Sequence, residues 1–160
     1  MAALSRAFDW LLEALAWVAA AMIALALTAV SFDVVMRYFF NAPIAWVMQA
    51  SEYVMLYVPM LAAAYVLRRE EHVSVDIVVG ALSPKAQRRL TAVTSALGAV
   101  VAAIVAYGGW LVTSEQFRLG TPTLDAVKVP AFLVTAAIPL GCALLAAQCL
   151  RRALAALRDA

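Results

Sequence analysis

A chain of 160 residues that is 66% hydrophobic and 14% charged, with a mean hydropathy of +0.92, lies outside the range of soluble domains, which run at about 45–50% apolar and about 25% charged. A soluble fold of this size has too little interior to hide so much apolar surface, so the chain must meet lipid; disorder, collagen-like repeats and disulfide scaffolds are excluded with it. Net charge is +2, and no run of like charge offers a nucleic acid a landing site.

In chain order, Arg6, Asp9 and Glu13 recur at helical spacing opposite Leu4, Phe8, Leu11, Leu12 and Leu15. This predicts a short amphipathic start lying near the membrane surface before the chain turns across. Asp9 and Glu13 stand where a signal peptide would carry basic residues, so the first apolar stretch is expected to remain as a span. Charge-free windows then mark the spans: Ala14–Phe32, Leu90–Ser114 and Val129–Leu150 carry no charge, and Ala42–Leu67 carries only Glu52. Each can cross ~30 Å of hydrocarbon, and each must be helical to satisfy its own backbone. The expected fold is all-α and integral to the membrane: one domain over 1–160, with spans at roughly 11–36, 42–67, 90–114 and 129–150. No window shows the alternation of an outer-membrane barrel strand.

Asp33 and Arg37 form an i,i+4 pair at the end of the first span, read as a surface-level pair holding the helix end. In the second span Gln49, Glu52, Tyr53 and Tyr57 project over roughly 140° of the helix. A carboxylate there is costly in lipid, and it marks a partner contact within a bundle or complex, or an ion path. Pro59 frees the carbonyl of Met55 and predicts a kink. Between the second and third spans, His72 and Asp76 stand one turn apart in an apolar stretch, Val73–Leu82, suited to the cytoplasmic interface. Ser83 and Pro84 read as an N-cap and first helical residue, and Pro130 is expected to open the fourth span similarly. Thr94, Gly98, Ala102 and Ala106 form a small-residue stripe for close helix packing. Cys142 and Cys149 are about 10 Å apart along one helix, too far to bridge, and read as buried thiols.

Basic residues set the direction. The N-terminus, the middle loop and the C-terminus hold nine of them (Arg6; Arg68, Arg69, Lys85, Arg88, Arg89; Arg151, Arg152, Arg158), and the other two loops hold three, Arg37, Arg118 and Lys128. Both termini are therefore expected in the cytoplasm. A single histidine excludes paired-imidazole haem and His/Cys zinc sites. The chain has neither a phosphate-binding glycine loop nor a nucleophile elbow, so no enzyme and no cofactor are expected.

The ordered set Phe32-Asp33-Val34-Val35-Met36-Arg37-Tyr38-Phe39-Phe40-Asn41-Ala42-Pro43, Trp46 and Ser51-Glu52-Tyr53 resembles the small membrane subunit of tripartite ATP-independent periplasmic (TRAP) transporters, the DctQ type. The similarity continues through Leu67-Arg68, His72 and Val75-Asp76 to Pro130 and Pro139-Leu140-Gly141. Where that family commonly has a glutamate three residues after the tryptophan, this chain has Gln49.

The resemblance implies a sodium-coupled uptake system for organic acids. A periplasmic substrate-binding protein captures the substrate, a large membrane subunit carries it, and this chain packs beside the large subunit in the inner membrane as a scaffold. It implies no substrate site here. Asp33, Arg37, Trp46, Gln49, Glu52, Tyr53, Arg68, His72, Asp76, Pro130, Pro139 and Gly141 become interface or structural candidates. Two other classes share the composition: a four-span proton-coupled multidrug exporter using Glu52, and a membrane anchor or assembly module. The exporter class has little chain between its spans, whereas 22 residues separate Leu67 from Leu90 here.

Overall fold

The computed structural model describes residues 2–69, 84–123 and 127–158. The expectations for His72, Asp76, the interfacial Val73–Leu82 segment and the Ser83 cap lie outside them. The described residues form α1 (Ala2–Phe40), α2 (Ala45–Arg69), α3 (Pro84–Leu119), α4 (Ala131–Thr135) and α5 (Ala137–Arg158). Among the described residues, four stretches are long and apolar enough to cross a membrane: α1, α2, α3, and α4 with α5 taken together. The chain is an all-α membrane protein.

The helices continue beyond the charge-free windows. Charged residues end contact with hydrocarbon, but they do not end a helix whose backbone bonds are already satisfied in the headgroup region. With 39 residues, α1 is about 58 Å long at 1.5 Å per residue, nearly twice the ~30 Å of hydrocarbon. Its amphipathic first turns are continuous with the span, and the helix is unbroken between them.

The two intrahelical prolines act differently. Pro139 lacks the N–H that would close onto the Thr135 carbonyl, and its ring crowds that oxygen. The fourth span therefore breaks: α4 ends at Thr135, Ala136 bonds the Phe132 carbonyl at 2.9 Å, and α5 starts at Ala137. Pro130 occupies the N-cap of the short α4, one residue before the first helical position. Pro59 lies inside α2 without interrupting it.

Packing is serial. α1 lies on α2, α2 on α5, and α5 on α3, so the helices form a row with α5 in the interior. The α3 face toward α5 is made of Ala92, Ser95, Ala99, Ala102, Ala106, Gly109 and Thr113, spaced alternately by three and four residues and buried or half-buried throughout. That alternation keeps one seam against a partner at a shallow crossing angle. The expected stripe is thus corrected at one position: Gly98, Ala102 and Ala106 face α5 or border this seam, while Thr94 is exposed and Ser95 takes its place. A strict four-residue step drifts around the helix, whereas the alternating step does not.

Two glycines set how close the helices come. A Cβ on Gly109 would stand 3.1 Å from Ile138 Cγ2 and Pro139 Cδ, and one on Gly141 would stand 2.6 Å from the Met60 carbonyl oxygen. Gly98 faces Cys149. Cys149 and Cys142 are both buried free thiols.

Candidate functional site: two polar clasps

At the end of the row that holds the α1–α2 turn, polar side chains tie connecting segments to helices. Asp33, 5% exposed, accepts hydrogen bonds from Arg37 Nη2 at 2.6 Å and from the Ile44 N–H at 2.7 Å. The backbone bond draws its carboxyl pairing beyond the expected surface-level role: besides holding the end of α1, Asp33 anchors the turn into α2. That turn is made by Asn41, whose φ of 50° ends α1 in the left-handed conformation asparagine tolerates.

Gln49 lies on the α2 face toward α5. Its Nε2 donates to the Val127 carbonyl at 2.7 Å and to the Tyr53 hydroxyl at 2.6 Å, while its Oε1 accepts the Val127 N–H at 3.0 Å. One side chain thereby satisfies both backbone groups of a loop residue far away in sequence. The α3–α4 loop is prepared for this contact. Gly120, at φ 61°, closes α3, with the Thr121 N–H on the Gln116 carbonyl; Thr123 and Val129 pair across the loop at 2.8 Å. One turn beyond Tyr53, the Tyr57 hydroxyl donates to the Leu133 carbonyl of α4. The Thr135 hydroxyl lies 2.5 Å from Gln116 Oε1, closing α4 onto α3.

A second clasp sits at the end that carries the N-terminus. Asp9 of α1 takes Arg151 of α5 at 2.8 Å and faces Arg68 of α2 at 3.7 Å, and Arg68 also donates to the Asp9 carbonyl at 3.2 Å. The Arg151 guanidinium stands 5.0 Å from the Phe8 ring centroid. Buried Gln148 accepts from Arg151 at 3.5 Å. Asp9, Arg151, Gln148, Gln116 and Thr135 were absent from the sequence candidates. The glutamines carried a usable signal, since an amide inside an apolar helix seeks a partner.

The remaining candidates separate. Trp46 is 53% exposed. Pro130, Pro139 and Gly141 shape the fourth span and its approach to α2 and α3. Glu52 shares a helix with Gln49, Tyr53 and Tyr57 but points out of the row. It is exposed, and among the described residues it has no hydrogen-bond or ion-pair partner. Among the described residues, no three His, Cys, Asp or Glu side chains converge as a metal site, and no buried side-chain N or O lacks a partner.

Membrane-crossing helices whose polar side chains tie helix to helix and loop to helix define a polytopic membrane protein built for packing. The residues at 26–159 match the family model described as "Tripartite ATP-independent periplasmic transporters, DctQ component", and the chain belongs to that family. The family is a transporter component, which is not an enzyme class. A Haemophilus influenzae protein named as a TRAP transporter small permease is 30% identical over 90 residues, or 56% of this chain and 53% of the relative. The chain spans about half the length of the curated relative it matches.

Proposed function

We propose that the chain is the small permease subunit of a sodium-coupled TRAP transporter for organic acids, acting as a scaffold for the large membrane subunit. In this reading it is a single inner-membrane domain with both termini cytoplasmic. A periplasmic binding protein delivers the substrate, and the large subunit holds the substrate and ion sites. The supporting observation is the use of the polar groups: Gln49, Tyr57, Gln116, Asp33 and Asp9 each bond to a neighbouring helix or connecting segment of the same chain. A static support needs rigid helix-to-helix contacts, and these residues supply them.

The test is reconstitution. Tagged protein purified in mild detergent from its native host should bring down a much larger polytopic protein, and sodium-driven uptake in proteoliposomes should require both chains and the binding protein. Recovery of a discrete homodimer that exports cationic dyes on a proton gradient would overturn the proposal.

A further inference from the structure

The exposed side chains of α2 form a narrow stripe. Ala45, Met48, Glu52, Met55, Pro59, Val66 and Arg69 are exposed, and their spacing alternates between three and four residues when half-buried Ala62 is counted. The rest of α2 is buried or half-buried, apart from Trp46 at the helix start. A stripe with this spacing follows one neighbouring helix along its whole length at a shallow crossing angle. It differs from a lipid-facing stripe in its chemistry. Glu52 offers a carboxylate with no partner among the described residues, and Pro59 leaves the carbonyl of Met55 without its intrahelical donor. The Glu52 carboxylate therefore faces outward from a membrane helix, and acyl chains supply no donor for it.

The shape beside the stripe agrees. An apolar groove of about 360 Å³ runs between α1 and α2, walled by Ile23, Leu27 and Val30 on one side and by Val54, Met55 and Pro59 on the other. We infer that a transmembrane helix of the large membrane subunit lies along this α2 stripe, seats side chains in the α1–α2 groove, and presents a hydrogen-bond donor to Glu52. The inference rests on the proposed subunit role and adds to it the face of contact and the chemistry of the partner helix.

A photo-crosslinking residue placed singly at Met48, Met55 or Val66 in the assembled complex tests the face. Leu97, Val101 and Ile104, on the exposed side of α3, serve as the comparison. Adducts with the large subunit should form from the α2 positions and not from those on α3. Adducts from the α3 positions instead, from both sets alike, with a second copy of this chain, or with lipid alone would overturn the inference. Co-purification of the unsubstituted chain is scored separately. If the large subunit is recovered but α2 does not crosslink, the contact face is wrong and the subunit role stands; if it is not recovered, both fail. For the donor, Glu52→Leu should lower recovery of the complex roughly tenfold, and Glu52→Gln, which still accepts hydrogen bonds, by less than about threefold. Equal recovery with Leu would overturn the donor assignment.

Discussion

Gly141 of α5 lies so close to Met60 of α2 that an added Cβ would stand 2.6 Å from its carbonyl oxygen and 2.7 Å from its Cβ. The nearest atoms include backbone, which cannot rotate away, so an alanine at 141 must push the two helices apart. Overpacking of this kind costs about 1–3 kcal/mol. Gly108 has nothing within 4 Å of its notional Cβ, and alanine there should be neutral or stabilising by about 0.5–1 kcal/mol through helix propensity. The thermal midpoints of Gly141→Ala and Gly108→Ala in detergent should therefore move in opposite directions or differ clearly. Equal midpoints would mean that α2 and α5 are not this close.

The Gln49 clasp predicts a local signature. Gln49→Leu leaves the N–H of Val127 without this partner and its carbonyl with the long 3.4 Å bond from the Thr123 hydroxyl, at a cost of about 1–3 kcal/mol. Hydrogen exchange at the Val127 amide should accelerate while the cores of α3 and α5 stay protected. Gln49→Glu, when ionised, can still accept that N–H but turns a carboxylate against the Val127 carbonyl. It should keep much of the amide protection and still lose thermal stability. Unchanged exchange in the Leu variant would remove Gln49 from this role.

The Asp9 clasp is partly exposed, so solvent screens it. A double-mutant cycle on Asp9 and Arg151 should give a coupling of about 0.2–1 kcal/mol that shrinks as salt is raised. Arg151→Ala should cost somewhat more than Asp9→Asn, because it also removes the contact with the Phe8 ring. A coupling indifferent to salt would count against an ionic clasp.

Orientation is tested by thiol labelling. In a background lacking Cys142 and Cys149, single cysteines at Ser5, Thr123 and Asp159 are exposed to a reagent that cannot cross the membrane. Only position 123 should label in intact spheroplasts, given the excess of basic residues at the termini and in the middle loop. Labelling at 5 or 159 would reverse the topology.

How much of this was legible in the sequence differs from residue to residue. Glu52 and Gln49 stand three positions apart, and both announce themselves as polar residues in an apolar helix. Their roles diverge because α5 and the α3–α4 loop cover one side of α2, and among the described residues Glu52 on the other side has no partner. Periodicity places the two within reach of one face and has no information about where the neighbouring helix sits. Thr94 and Ser95 show the same limit: both are small, and only the crossing of α3 with α5 selects Ser95 for the seam.

The sequence by itself determined the solvent, the element type and the number of crossings. Hydrocarbon leaves the backbone no hydrogen-bond partner but itself, so an apolar run long enough to span has one available structure. The DctQ-type order of residues was likewise readable as a linear pattern. Tertiary structure alone decided the order of the row, the close approach at Gly141, the pairing of Asp9 with Arg151 and the outward exposure of Glu52. Each of these depends on residues far apart in sequence meeting across an interface. In lipid the choice among such interfaces rests on small residues and a few hydrogen bonds, because apolar burial alone no longer discriminates between them.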